Sequence, residues 1–235
     1  MNHKPLFSLV LASAVLMTGC DRKIGPPEDS QEHLRPEEIA SFDHLYTQNC
    51  SACHGEDGRN GPAIDLANPM YQSLVDDASL KRWIVNGMSG TEMPAFGESA
   101  GGFLADRQID ALVKGMRTRW LREDQARLPQ TPPYAVMLQG STVDGERIYQ
   151  RACLSCHRDQ EQQLTNPTYL ALMSDQALRS IVIAGRPDLG HPGWDKANSG
   201  HALSDQEITD IVAYLGSLRS ATPGLPYPEQ MNRER

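Results

Sequence analysis

The hydrophobic positions of this chain recur with the spacing of helices, and no segment alternates for long enough to predict a strand. One helix is predicted over about 77–85, because the following Asn86-Gly87 is a common way for a helix to end. A similar helix is predicted over about 174–185, a hundred residues further along the chain. The pattern therefore predicts an all-α fold.

Two further helices carry clear signals at their starts. The first is predicted to start near Pro36, a favourable residue for a first turn, and to place Ile39, Phe42 and Tyr46 on one face. The last opens with Ser204-Asp205-Gln206-Glu207, which has the form of a capping box. Its apolar stripe, which we interpret as core packing, comprises Ile208, Ile211, Val212, Leu215 and Leu218.

An internal repeat relates the two halves of the chain. Residues 66–96 align without a gap with residues 164–194, and nine positions are identical. The identical pairs include Gly87/Gly185 and Pro94/Pro192. Because 235 residues are enough for two small cores, two copies of one domain account for the repeat better than one large domain.

Proline-rich and charged stretches divide the chain into segments. Pro132-Pro133 lies in a stretch that cannot continue a helix. The predicted order is a signal peptide over 1–19, a flexible tether over 20–35, a first domain over 36–120, a proline-rich linker over 121–140, a second domain over 141–220 and a tail over 221–235.

The first residues have the features of an export signal. Lys4 supplies a positive charge, and the apolar run that follows is too short to span a bilayer. The run ends before Cys20, and this end resembles the lipobox of bacterial lipoproteins. The resemblance implies lipidation of Cys20 and a protein anchored on the periplasmic side of the bacterial inner membrane. A plain cleaved signal with a chance cysteine is the alternative.

Charge narrows the choice of partners. The formal net charge is −8, which argues against a nucleic-acid partner and favours docking to a basic protein surface.

The remaining cysteines form two Cys-x-x-Cys-His motifs. One comprises Cys50, Cys53 and His54, and the other comprises Cys153, Cys156 and His157. Two thiols three positions apart on a helical turn can form thioethers with one porphyrin, and the adjacent imidazole can then bind its iron. The motifs therefore predict two covalently attached haem c groups.

Three other uses of these cysteines are less consistent with the sequence. A zinc ribbon needs its two cysteine pairs within about 15–20 residues of each other, whereas these pairs lie about a hundred residues apart. A thioredoxin-like motif needs an α/β context, which the pattern does not predict. Structural disulfides would leave the histidine of each motif unexplained.

With these motifs, residues 36–120 and 141–220 resemble class I cytochromes c. The resemblance implies two tandem all-α domains, each with an N-terminal helix that enters the haem motif and crosses a C-terminal helix. It also implies a sixth iron ligand from a methionine loop, for which Met93 fits better than Met88 because Pro94 and an aromatic residue follow it. The Gly61-Pro62 segment resembles the loop whose carbonyl orients the proximal imidazole.

The second copy departs from this family pattern. His191 occupies the position of Met93, so we expect His157 and His191 to ligate the second iron. His201, Met173 or an open iron are the alternatives. This copy also lacks the Gly-Pro segment and is five residues shorter between His157 and Leu164.

The expected ligands lead to a functional prediction. A thioether favours reduced iron more than a second imidazole does, so the first haem is expected to have the higher potential and to receive electrons from the second. Two six-coordinate irons indicate an electron carrier rather than an enzyme. Its expected partners are redox proteins at the membrane, and the alternative to a separate carrier is a cytochrome subunit of a larger respiratory complex. The alternatives are a peroxidase-like dihaem enzyme with one open iron, and an assembly subunit whose haems are structural.

Overall fold

The computed structural model describes residues 35–122, 130–158, 164–197 and 201–220. The predicted signal peptide, the lipidation site Cys20 and nearly all of the tether lie outside these residues, as do part of the linker and the tail. Within the described ranges the chain forms helices, short turns and isolated bridges, and no strand. The prediction of an all-α fold is confirmed.

Helices of similar order make up the two halves. The first half contains α1 (Phe42–Asn49), α2 (Ser51–His54), α3 (Pro69–Leu74), α4 (Asp77–Asn86) and α5 (Asp106–Trp120). The second half contains α6 (Thr142–Ala152), α7 (Pro167–Ala171), α8 (Asp175–Ala184) and α9 (Asp205–Ser217). Short 3-10 turns lie at Pro36–Glu38, Glu98–Ala100 and Pro187–Leu189.

The prediction that the first helix starts near Pro36 is wrong. Pro36 begins a 3-10 turn that ends at Glu38, and Ile39 after it is extended, with φ −70° and ψ 116°. The α-helix begins only at Phe42, after the extended residue Ser41. The side chain of Gln108 donates to the carbonyls of Pro36 and Ile39 and so holds the separate turn against α5.

The predicted middle and last helices are present. Helix α4 ends at Gly87 and α8 ends at Gly185, both with positive φ. Ser204 accepts a hydrogen bond from the backbone N–H of Glu207, and the Glu207 side chain accepts one from the backbone N–H of Ser204, which completes the predicted capping box.

The core of the first half lies between its first and last helices. Phe42 and Tyr46 of α1 pack against Trp120 of α5, with ring centroids 5.3–5.6 Å apart. Gly115 of α5 faces Phe42, and a Cβ at this position would come within 2.1 Å of the ring. The absence of a side chain at Gly115 therefore sets how closely α1 and α5 approach.

The second half repeats this crossing with a glycine on the other helix. Gly145 of α6 faces the main chain of α9, where a Cβ would lie 2.0 Å from the Asp210 carbonyl oxygen. Tyr149 of α6 and Tyr214 of α9 pack with their ring centroids 5.6 Å apart. The crossing of first and last helices implied by the family resemblance is thus present in both halves.

A segment of the predicted linker is packed between the two halves. Tyr134 is buried, and its hydroxyl accepts a hydrogen bond from Trp83 of α4 at 2.8 Å. Its carbonyl accepts hydrogen bonds from Gln176 and Arg179 of α8. Arg179, which is 2% exposed, also binds the carbonyl of Pro133. The linker segment around residue 134 therefore contacts both domains.

Candidate haem sites

The two Cys-x-x-Cys-His motifs adopt the same backbone turn. The N–H groups of Cys53 and His54 both donate to the carbonyl of Cys50, at 3.2 and 2.9 Å. In the second copy, Cys156 and His157 donate to the carbonyl of Cys153 at 3.2 and 3.0 Å. Each turn follows the first helix of its half. The N–H groups of Cys50 and Cys153 each donate a hydrogen bond of 2.8 Å to a carbonyl in the last turn of that helix. Equal turns in both copies support a common use of the motifs.

The four thiols of the motifs form no disulfide. Burial raises the pKa of Cys50 to about 12 and that of Cys153 to about 11, with a smaller contribution from the neighbouring thiol. Burial therefore keeps the thiols of Cys50 and Cys153 protonated near pH 7. The thiol-bearing residues Cys53 and Cys156 are exposed.

His54 is oriented by a carbonyl of the loop that follows its motif. Its Nδ1 lies 2.9 Å from the carbonyl oxygen of Ile64, which can only accept, so Nδ1 carries the proton and Nε2 keeps its lone pair. Burial lowers the pKa of His54, and the nearby Arg186 lowers it further. The ring is therefore neutral near pH 7, which is the form that binds a metal.

The carbonyl that holds His54 is not in the expected Gly-Pro dipeptide itself. Gly61 instead allows the loop to pass the motif, because a Cβ there would lie 2.3 Å from the carbonyl oxygen of Cys53. The chain then turns so that Ile64, two residues after Pro62, presents its carbonyl to the ring. The corresponding segment of the second copy, 159–163, lies outside the described residues.

Met93 lies in a loop that folds back over the end of α4. Its carbonyl accepts a hydrogen bond from the N–H of Met88 at 3.1 Å. Gly87 has φ +65°, and a Cβ there would come within 2.6 Å of the Met93 carbonyl oxygen. The sulfur of Met88 is already engaged, because it accepts a hydrogen bond from Ser174 of α8 at 3.8 Å. This placement supports Met93 over Met88.

His191 lies in a loop of the same form. Its carbonyl accepts a hydrogen bond from the N–H of Arg186 at 3.0 Å, as Met93 does from Met88. Gly185 has φ +71°, and a Cβ there would come within 2.8 Å of the His191 carbonyl oxygen. The alignment of His191 with Met93 in the sequence is therefore matched by the backbone.

The rings of His157 and His191 lie close together, with their planes tilted by 49° to one another. Their centroids are 6.0 Å apart. His157 and His191 would hold the second iron, because this separation leaves room for one metal ion between two imidazoles with metal–nitrogen bonds of about 2 Å. Burial lowers the pKa of His191, and the proximity of His157 adds to this effect, so both the spacing and the neutral imidazole fit a bound iron.

Unpaired polar atoms also favour a bound group at the second site. The hydroxyl of Tyr149, Nδ1 of His191 and Nε1 of Trp194 are buried and make no hydrogen bond among the described residues. Such atoms are uncommon in folded proteins. These donors would suit a bound group that carries acceptor oxygens.

The other candidate ligands of the second iron are placed differently. His201 is exposed, and Met173 packs against the core. No group of three or more His, Cys, Asp or Glu residues in the described ranges is arranged to hold a separate metal ion. The histidine pair is therefore the best candidate for the second iron.

Sequence reasoning missed Arg186 and Asp188. Both belong to the loop that carries His191, yet their side chains contact residues 60–63 of the first half. In the sequence, only the alignment of Arg186 with Met88 marks the position as part of a ligand loop. A contact across more than a hundred residues leaves no local pattern in the sequence.

Two family models match the segments of the chain that carry these sites. A family model described as cytochrome c oxidase, cbb3-type, subunit III matches residues 37–114. A second family model, described as cytochrome c, matches residues 142–219. Each match includes one Cys-x-x-Cys-His motif.

Individual relatives are more distant. The chain is 24% identical over 203 residues to a cbb3-type cytochrome c oxidase subunit CcoP from Azospirillum sp. (strain B510), which covers 74% of this chain and 60% of that relative. A chain of the Kuenenia stuttgartiensis reducing HAO-like protein complex aligns with a TM-score of 0.46 and 20% identity, over 79% of this chain and 99% of the other. The dihydro-heme d1 dehydrogenase NirN aligns with a TM-score of 0.29 and 31% identity, over 40% and 17%.

Among the described residues, no helix is both long and apolar enough to cross a bilayer.

The helical fold, the paired motifs and the two family matches agree with one another. The prediction of two covalently bound haem c groups is confirmed at the level of the family. The chain therefore belongs to the c-type cytochromes, as a dihaem protein built from two tandem cytochrome c domains.

Proposed function

We propose that this dihaem cytochrome transfers single electrons between redox proteins at the membrane and has no catalytic activity of its own. Each bound haem supplies one iron that alternates between Fe(III) and Fe(II). The observation that carries the proposal is the separation of 6.0 Å between the His157 and His191 rings, which fits a filled coordination sphere. A filled sphere leaves no position for a substrate.

The first iron is ligated by His54 and Met93. The hydrogen bond from His54 to Ile64 and the fold of the Met93 loop over Gly87 support this assignment. A thioether donates less charge than an imidazole and therefore stabilises Fe(II) relative to Fe(III). The first site consequently has a higher reduction potential than the second, and electrons pass from the second domain to the first.

The location follows from the first segment of the sequence. Lipidation of Cys20 would anchor the protein on the periplasmic side of the inner membrane, in reach of membrane partners. The similarity to a CcoP subunit and to the subunit III family favours a partner from a haem–copper oxidase complex. An acidic chain of net charge −8 would dock to a basic surface of such a partner.

An optical redox titration with and without carbon monoxide tests this function. The wild-type protein is expected to show two haems with separate potentials and no carbon monoxide binding at either iron. His191→Ala is expected to create a carbon monoxide site at one haem, because the distal ligand is gone. His201→Ala is the matched control, since that histidine is exposed and should not alter the spectrum.

Two results would contradict the proposal. Carbon monoxide binding by the wild-type protein would favour the peroxidase-like enzyme with one open iron. An unchanged six-coordinate spectrum in His191→Ala would reject His191 as the ligand.

A further inference from the structure

The two domains meet where the proximal loop of the first site contacts the His191 loop of the second. Arg186 donates from Nη1 to the carbonyl of Ala63 and from Nη2 to the carbonyl of Gly61, both at 2.9 Å. Arg186 as a whole is only 7% exposed. A buried arginine that binds two backbone carbonyls in fork geometry is a specific contact rather than a surface charge.

Asp188 fixes the orientation of this arginine. Its carboxylate accepts from Nε of Arg186 at 2.9 Å and from Nη2 at 2.7 Å. The same carboxylate accepts the backbone N–H of Asn60 at 2.8 Å. Arg186 therefore binds carbonyl oxygens of the loop over residues 60–63, and Asp188 binds an N–H group of the same loop. The positive charge of Arg186 and the negative charge of Asp188 nearly cancel.

The loop held by Arg186 is the one that orients His54. Ala63 donates its N–H to the carbonyl of Cys53 at 2.9 Å and accepts from Arg186 on its other side. The next residue, Ile64, accepts the hydrogen bond from Nδ1 of His54. A displacement of Ala63 must therefore alter the carbonyl that His54 contacts.

The main chain of Arg186 is tied to the second site. Its N–H donates to the carbonyl of His191 at 3.0 Å, and its carbonyl accepts the N–H of His191 at 2.9 Å. Asn68 of the first half strengthens this junction, because its side chain donates to the carbonyls of Ala184 and Gly185 at 2.9 and 3.2 Å. Arg186 therefore contacts the loop that orients His54 through its side chain and the loop that carries His191 through its main chain.

We propose that Arg186 is a positioning residue through which the second domain sets the proximal hydrogen bond of the first haem. It acts through Ala63 and Ile64 on His54 and touches neither iron. Since the donor strength of a ligating imidazole depends on the acceptor at its other nitrogen, Arg186 lowers the reduction potential of the first haem. The inference rests on the proposed function in that it takes His54 as the proximal ligand.

The test compares two buried arginines in the full haem-loaded protein. Arg186→Lys keeps the positive charge beside Asp188 but loses the fork to two carbonyls. Arg179→Lys is the matched control, because Arg179 is also buried, binds the carbonyls of Pro133 and Tyr134 and pairs with an aspartate, yet it contacts neither ligand loop. Both variants lose comparable contacts.

Two measurements distinguish positioning from stability. In Arg186→Lys the reduction potential of the first haem is expected to rise, because a weaker hydrogen bond from His54 to Ile64 makes the imidazole a weaker electron donor to the iron. The backbone amides of Asn60 and Ala63 are expected to exchange hydrogen roughly tenfold faster. Arg179→Lys should change neither. Asp188→Asn, which removes the orienting carboxylate, provides the same two readouts should the lysine variant fail to fold.

An unchanged first potential and unchanged amide exchange in Arg186→Lys, or equal changes in Arg179→Lys, would overturn the proposal. The optical redox titration of the wild-type protein tests the proposed function separately, because that function requires two haems with ligated irons whatever the variants show.

Discussion

The loop that carries His191 depends on the absence of a side chain at Gly185. This residue has φ 71° and ψ −177°, a region that essentially only glycine adopts. A Cβ would lie 2.8 Å from the backbone N of Gly193, the carbonyl oxygen of His191 and the carbonyl carbon of Pro192. Gly185→Ala would therefore strain the backbone and push the ligand loop away from α8.

The cost of this change follows from its two components. A non-glycine residue in such a conformation costs about 1–3 kcal/mol, and a clash with fixed backbone atoms adds about 1–3 kcal/mol. We expect Gly185→Ala to lower the free energy of unfolding by about 2–6 kcal/mol. Gly190→Ala is the control, because Gly190 also has a positive φ of 76° but no atom within 4 Å of its Cβ position, so only about 1–2 kcal/mol is expected.

Guanidinium denaturation of the two variants, followed by helical circular dichroism, gives both free energies. The absorption spectrum gives the second observable, since displacement of His191 should permit carbon monoxide to bind in Gly185→Ala and not in Gly190→Ala. Equal stability losses in the two variants, or an unaltered ligand field in Gly185→Ala, would refute the reasoning.

Two further changes have simpler outcomes. Ser204→Ala removes the cap of α9 and should lower the free energy of unfolding by about 1 kcal/mol, measured by the same denaturation; no loss would show that the capping box contributes nothing. The hydrogen bond from Arg186 lowers the pKa of Asp188 to about 2, below its value of about 3.9 in the unfolded chain, so its stabilising contribution is complete above pH 5 and disappears as the pH falls towards 2. The stability advantage of the wild type over Asp188→Asn should therefore shrink across that range, and a constant difference would contradict the ion pair.

Local signals in the sequence predicted the local parts of the fold. The glycines that end α4 and α8 and the capping box of α9 lie where the pattern indicated, since each depends on a few neighbouring residues. The start of the first helix was wrong because Gln108, far along the chain, holds Pro36 and Ile39 in a separate turn. Tertiary contact there overrides a favourable proline position.

The candidate sites show the same difference between features that local sequence predicts and features that depend on distant contacts. The motif cysteines and histidines were evident from spacing, and the position of His191 from the repeat. The carbonyl of Ile64 was not, because backbone acceptors carry no sequence label. Arg186 was missed for a related reason: its partners Gly61 and Ala63 contribute only main-chain atoms.

Arg179 and Tyr134 have a consequence for how the molecule unfolds. The buried guanidinium of Arg179 in the second domain finds its acceptors on the connecting chain, and Tyr134 in that chain is held by Trp83 of the first domain. Melting either domain alone would break the hydrogen bonds that the segment around Tyr134 makes to that domain and would expose the buried Tyr134 side chain. The two domains should therefore unfold cooperatively, as a single transition in calorimetry.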